Sequence, residues 1–283
     1  MNFKEMYCYL RETLVPVCGE FSDYEARQIL EYATGCHSGN FAVCMGETRP
    51  LASAVALRIK EILRRRSLHE PLEYILGEAW FCGLPFHVTP DCLIPQADTE
   101  VVCEQVKHFL PPGGKMADIG TGSGCIALAV LAGTKDTKAV GYDISEAALS
   151  VAEENAMALG LSSRFSSVCS DIFAADFMEG SGQYDVIVSN PPYIVSSRIP
   201  TLAPEVRAEP VTALDGGPDG LRFYRRLLEV CPSHVKHGGA IVFEIGYDQR
   251  TAMESLCAKK GLPCEIFQDF GGNDRVCVIH GSF

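Results

Sequence analysis

"MADIGTGSGCIALAVLAG", residues 116–133, carries the reading of the fold. A short apolar run ends in an acid and an isoleucine, glycines follow at alternate positions, and a second apolar run of helical length begins at once. Strand, tight turn and helix in that order open an α/β unit, in which glycines let the backbone turn sharply and let a ligand approach it closely. Gly120, Gly122 and Gly124 stand in G-x-G-x-G spacing, with Thr121 and Ser123 between them. "KAVGYD" reads as the next strand and closes on Asp143. That acid lies about 20 residues past the last glycine, the spacing at which a carboxylate meets ribose hydroxyls in nucleoside-binding folds.

Downstream the alternation continues. "SEAALSVAEENAMALG" predicts a helix, "FSSVCSD" and "YDVIVSN" predict strands, and a helix is expected from about Pro218 to Val235. "GAIVFEIG" is a strand, residues 249–260 a helix, and two strands close the chain. The pattern is a Rossmann-like α/β domain: an open, mostly parallel sheet with helices on both faces, whose ligands bind at the carboxyl ends of the strands. Asp118, Asp143, Asp171 and Asn190 all fall at or close to such ends.

Upstream the texture differs. Residues 1–75 read as a helical domain, with Ser22 or Asp23 capping "DYEARQILEYATGC". "RPLASAVALRIKEILRRR" is expected to begin with Pro50 in its first turn and to present Leu51, Val55, Ile59, Ile62 and Leu63 on one face. Its closing Arg64, Arg65 and Arg66 read as cations complementing a helix C-terminus rather than as a nucleic-acid patch. Residues 76–95, with Gly83-Leu84-Pro85 between apolar and aromatic residues, read as a hairpin linker, and 96–283 as the α/β domain.

Composition narrows the function. A net charge of -12 makes a poor surface for gripping phosphates, so no direct nucleic-acid binding is expected. The 13 cysteines contain no C-x-x-C pair, and runs such as "CIALAV" and "RVCVIH" use them as small apolar residues. No signal core and no membrane-spanning run is visible, so a reduced, cytoplasmic protein is expected.

The loop also bears on the ligand. A dinucleotide favours G-x-G-x-x-G with a pyrophosphate on the helix N-terminus, and ATP favours a Lys-Ser/Thr pair after the loop. Here Cys125 and Ile126 follow instead. An adenosine carrying an amino acid, as in S-adenosylmethionine, suits a loop without a cation.

The second motif is "VSNPPYI", residues 188–194. Two prolines after a strand stiffen the backbone and remove N–H donors. What remains is a turn rich in acceptors, the side-chain carbonyl of Asn190 and the main-chain carbonyl of Pro191, beside the aromatic face of Tyr193. Such a turn suits a planar N–H₂ group, which presents two donors.

At these residues the chain resembles class I S-adenosylmethionine-dependent methyltransferases acting on exocyclic or amide nitrogens. "PLEYILGEAWFCGLPFHVTPDCLIPQADTE", "EVRAEPVTALDGGPDGL" and "DFGGNDRV" are similar to stretches of the release factor glutamine methyltransferases (HemK/PrmC), over roughly residues 70 to 280. The resemblance implies a seven-stranded sheet, S-adenosylmethionine as cofactor and no metal. It implies as partner the Gly-Gly-Gln glutamine of bacterial class 1 release factors, docked with help from the helical region of a monomer. A ribosomal protein is the alternative substrate, and a nucleic-acid amino group a more distant one. By the family pattern Gly120 to Gly124 line the methionine end of the cofactor, Asp143 binds ribose, and Asp171 and Ile172 flank the adenine. Asn190, also near the cofactor, and Pro191 hold the glutamine amide, with Pro192 and Tyr193 completing the catalytic turn. Gln96, Ala97, Ile172 and Ala208 depart from the family's usual residues.

Overall fold

The computed structural model describes residues 1–36 and 38–280; His37 and the last three residues of the expected α/β domain lie outside them. The chain divides into two compact units. One comprises residues 1–77 with 203–208, and the other residues 78–202 and those from Glu209 onward.

The first unit is helical: α1 (Phe3–Cys18), α2 (Ser22–Thr34), α3 (Phe41–Met45), α4 (Ser53–Arg66) and α5 (Leu72–Leu76), joined by α9 (Pro204–Arg207) from later in the chain. A reciprocal cap starts α1: Asn2 Oδ1 accepts from Glu5 N and Glu5 Oε2 accepts from Asn2 N, each at 2.9 Å. Phe3, Met6, Leu10 and Leu14 then fall on one face at helical spacing and bury against Ile29, Leu30, Ile59 and Ile62. Each such side chain contributes roughly 1.5–3 kcal/mol on burial.

Two helix starts differ from expectation. Pro50 lies outside α4, because residues 50 and 51 are tied to the N-terminus first: Asn2 bridges Pro50, and Leu51 N donates to Met1 O at 3.0 Å. Ser22 and Asp23 are already inside α2, preceded by a 3₁₀ turn at Gly19–Phe21, and Asp23 instead accepts from the Tyr7 hydroxyl at 2.5 Å. The three arginines closing α4 are each taken by carboxylates. Arg64 bonds Glu61 and Arg65 bonds Glu70, while Arg66 is buried and pairs with both Glu25 and Glu205.

In the second unit the hairpin β1 (Glu78–Phe81) and β2 (Leu84–His87) buries Phe81 and Phe86. After α6 (Glu100–Phe109) come β3 (Lys115–Ile119), α7 (Cys125–Ala132), β4 (Lys138–Asp143), α8 (Glu146–Ala158) and β5 (Phe165–Cys169). Then follow β6 (Tyr184–Ser189), α10 (Val211–Leu214), α11 (Arg222–His234), β7 (Val235–Glu244), α12 (Arg250–Lys259), β8 (Cys264–Gln268) and β9 (Asp274–His280). The seven-stranded sheet runs β5-β4-β3-β6-β7-β9-β8. Its first five strands are parallel, while β9 runs antiparallel to β7 and β8 antiparallel to β9. The class read from the sequence is the class observed.

Strand β6 shows why the sheet centre is apolar on both faces: Val186, Ile187 and Val188 are fully buried between helices on either side. Strand order reverses between β3 and β6, the switch point at which open α/β sheets bind their ligands. No helix among the described residues is long and apolar enough to cross a membrane.

Candidate active site

A cavity of about 390 Å³ opens at the carboxyl ends of β3, β4, β5 and β6. The glycine loop forms its floor. Both Gly120 N and Thr121 N donate to Tyr142 O, at 2.8 and 3.0 Å, pinning the turn to the neighbouring strand. Gly122 N then donates to Asp143 Oδ2 at 2.9 Å, while Asp143 Oδ1 accepts from Ser145 N at 2.9 Å. Gly122 has a φ of 54°, and a Cβ there would meet nothing within 4 Å. The left-handed turn therefore leaves open space above the loop for a ligand.

Beneath the loop, Asp118 accepts from Thr121 Oγ1 at 2.8 Å and from Ala127 N at 3.3 Å. Burial pushes its carboxyl up to about 7 against those two hydrogen bonds. Asp118 Oδ1 and Ser123 Oγ are buried without a hydrogen-bond partner. Of these two residues only Ser123 lines the cavity, so only its unpaired hydroxyl bears on a ligand there.

The lining contains four carboxylates, Asp91, Asp143, Asp171 and Asp215, and a single cation, Arg222, whose guanidinium stacks 4.4 Å from the centre of the Phe173 ring. A pyrophosphate would meet net repulsion here. A nucleoside bearing positive charge would not.

The second motif forms one wall. Asn190 Nδ2 points at Thr99 Oγ1, 3.5 Å away, which turns Oδ1 the other way. Among the described residues the Pro191 carbonyl accepts no hydrogen bond. Tyr193 runs inward instead of lining the cavity, and its hydroxyl donates to Glu244 Oε1 at 3.2 Å. Burial, with Glu244 beside it, raises the Tyr193 phenol well above its ordinary value. Glu244 closes β7, and burial pushes its carboxyl up to about 7 although Thr99, Arg275 and Tyr193 all favour the charged form.

The structure thus brings Gly120, Thr121, Gly122, Ser123, Asp143, Asp171, Ile172, Asn190, Pro191 and Pro192 around one cavity. Gly124 caps α7, and Tyr193 supports the turn from behind; neither is part of the lining.

Several residues that shape the site went unread in the sequence. Phe173 supplies an aromatic face one residue after Ile172, and Phe223 and Arg222 stand opposite. Gly216 and Gly220 press on the backbone of Tyr193, where a Cβ on Gly216 would lie 2.7 Å from Tyr193 Cα. Residues 194–196 exchange main-chain hydrogen bonds with 214–217, so the "ALDGGPDGL" stretch is the clamp on the Asn-Pro-Pro-Tyr turn. Away from the cavity, the sulfurs of Cys257, Cys264 and Cys277 lie within 4.8 Å of one another.

Comparison with known proteins now bears on identity. The chain matches the family model of the methyltransferase small domain over residues 97–215 and that of the PrmC N-terminal domain over residues 11–77. It is 42% identical over 234 residues to the release factor glutamine methyltransferase of Moorella thermoacetica, covering 81% of this chain and 82% of that one. With the enzyme of that name from Geobacter sulfurreducens it shares 40% over 233 residues, covering 81% and 79%.

Among solved structures, a methyltransferase from Pyrococcus furiosus superimposes with a TM-score of 0.54 at 19% identity, over 81% of this chain and all of that one. The 16S rRNA N2 G1207 methyltransferase RsmC of T. thermophilus, solved with AdoMet and guanosine, does so with a TM-score of 0.51 at 15% identity, over 72% and 49%. At those identities the two share the fold, a methyltransferase fold that holds AdoMet in one of them. At 40% identity or more across about four-fifths of both chains, this one belongs to the release factor glutamine methyltransferase family.

Proposed function

We propose that the protein transfers a methyl group from S-adenosylmethionine to the side-chain amide nitrogen of the glutamine in the Gly-Gly-Gln motif of class 1 release factors, in the cytoplasm. The observation that carries this reading is the pair of unspent acceptors, Asn190 Oδ1 and Pro191 O, on the wall of a cavity with a glycine-loop floor. Family membership supports the choice of partner. Residues 1–75 are assigned to docking that partner, supported by the match to the N-terminal domain model, and residues 96–283 to the transfer.

The residues present fit the cofactor. Four carboxylates in the lining suit its cationic groups, Asp143 is assigned to the ribose hydroxyls, and the Ser123 hydroxyl of the lining has no protein partner. Asp171, Ile172 and Phe173 offer the adenine one polar and two apolar contacts. Bound there, S-adenosylmethionine supplies a methyl group activated by a sulfonium centre.

The chain's own work is positioning. An amide nitrogen is a feeble nucleophile because its lone pair is delocalised. Accepting both of its N–H bonds at Asn190 Oδ1 and Pro191 O orients it and stabilises the positive charge that develops on nitrogen during attack. The prolines keep competing donors out of the turn. Gly216, Gly220 and Gln249 fix it from beneath, Gln249 Nε2 donating to Tyr193 O at 3.3 Å.

The test is incubation of the protein with S-adenosylmethionine labelled in its methyl group and three acceptors in parallel: a class 1 release factor, ribosomal proteins and ribosomal RNA. Label in the release factor alone is the expected result. Label in a ribosomal protein or the RNA alone would replace the proposed partner.

A further inference from the structure

We propose that Cys257, Cys264 and Cys277 form a binding site for one thiophilic divalent cation of the zinc type, which staples helix α12 to the edge of the sheet. None of the three residues lines the cavity, so the site is separate from it.

The fold brings the three sulfurs together. In the antiparallel pair β8 and β9, Cys264 stands opposite Ile279 and Ile266 opposite Cys277, which places all four side chains on one face of the sheet. Helix α12 packs on that face, and Cys257 enters the same apolar cluster from the helix. The turn out of the helix is a Schellman stop: Leu262 N donates to Cys257 O and Gly261 N to Ala258 O, each at 3.0 Å. It sets where β8 begins relative to Cys257. The sulfurs end within 4.8 Å of one another, and among the described residues no fourth His, Cys, Asp or Glu joins them.

Burial alone would suit three small apolar residues. Convergence is what departs from that use. Cys18, Cys92 and Cys103 turn their thiols to main-chain carbonyls. Among the described residues these three turn none to a carbonyl and have one another as neighbours. Zinc–sulfur bonds of about 2.3 Å set sulfurs about 3.8 Å apart around a tetrahedral ion, so each pair needs to close by about 1 Å at most.

Thiolates select soft cations over magnesium or calcium. Each coordinating thiol passes its proton to solvent as the metal–sulfur bond forms. A divalent ion then offsets two of the three negative charges, where copper(I) would offset one, and the smaller residual charge costs less to bury. Cys257 and Cys277 are 1% and 0% exposed, while Cys264 is half-buried at the start of β8, the edge strand. The ion enters on that side, and a water takes the fourth position of the tetrahedron.

The experiment uses the full-length protein, reduced and freed of metal by a chelator, titrated with Co²⁺ and then with Zn²⁺. One equivalent of Co²⁺ should bind, with the near-ultraviolet absorption of thiolate-to-cobalt charge transfer and the visible bands of a four-coordinate ion, and Zn²⁺ should displace it. Zinc-loaded protein should melt about 5 °C or more above the metal-free protein. Cys264→Ser, a change at the half-buried position, should lose zinc affinity by at least the roughly 100-fold that loss of an outer-shell partner can cost. Its metal-free melting curve should match that of the metal-free parent. Cys257→Ala should repeat the loss, whereas Cys231→Ala, from the same apolar cluster, should bind zinc as the parent does.

A reduced parent without the thiolate–cobalt band would overturn the proposal, and so would parental zinc affinity in both Cys264→Ser and Cys257→Ala. Zinc-loaded protein that melts together with the metal-free protein would overturn the stapling role. A parent whose mass stays two hydrogens short under reductant would assign the sulfurs to a disulfide and overturn the site.

Discussion

Asn190 Nδ2 stands 3.5 Å from Thr99 Oγ1, so the asparagine that opens the Asn-Pro-Pro-Tyr turn meets the cavity with its carbonyl oxygen. Asn190→Ala removes that acceptor and leaves the glycine loop and Asp143 untouched. Cofactor affinity, read by calorimetric titration, should stay within a few-fold of the parent. Methyl transfer should fall by about 10²–10³ in kcat, the range for removing one preorganised hydrogen-bonding group. Normal turnover would remove Asn190 from its role.

Gly216 is a matter of space. A Cβ there would lie 2.7 Å from Tyr193 Cα and 2.8 Å from its carbonyl carbon, and backbone atoms cannot step aside as a side-chain tip can. Gly216→Ala should therefore displace the turn, cost about 1–3 kcal/mol in denaturant melts and depress kcat more than cofactor affinity. A variant with parental stability and rate would show that the clamp tolerates movement.

The two buried carboxyls give stability a pH slope. Asp118 and Glu244 sit at about 7 in the folded protein against ordinary values of 3.8 and 4.5. Between those limits the folded state keeps protons that the unfolded chain has lost, so these groups make stability fall as pH rises from about 4 to about 7. Asp118→Asn should flatten that fall when unfolding midpoints at pH 5 and pH 8 are compared. An unchanged slope would mean that Asp118 is ionised throughout.

Arg66 tests the helical unit. Its guanidinium bonds Glu25 through Nε and Nη2 and Glu205 through Nη1, each at 2.9 Å, with the Arg66 side chain 5% exposed. Arg66→Met leaves Glu25 without its cation and Glu205 with His69 alone, and should destabilise the protein by about 3–5 kcal/mol, measured by denaturant unfolding. A change under about 1 kcal/mol, the level of an exposed pair, would mean that solvent reaches the cluster.

These residues also mark what a sequence can tell. The glycine loop, Asp143 and the Asn-Pro-Pro-Tyr turn are each a few consecutive residues with a fixed place at a strand end, so they are legible without coordinates. Thr99 meets Asn190 and Glu244 meets Tyr193 across 91 and 51 residues of chain, neighbour relations that chain order does not state. Arg66 read only as a cation complementing a helix C-terminus because its partners Glu25 and Glu205 lie 41 and 139 residues away. Pro50 misled for a related reason: pairing with Asn2 outweighs the local preference of proline for a first helical turn.

The central claim is that the Asn190-Pro191 turn presents a glutamine amide to the methyl donor. Tandem mass spectrometry of a class 1 release factor after reaction, with Asn190→Ala as the parallel sample, addresses it most directly. The account predicts one added methyl, on the side-chain nitrogen of the Gly-Gly-Gln glutamine, in the parent reaction and almost none with the variant. A methyl on any other residue, or an equal yield from Asn190→Ala, would contradict it.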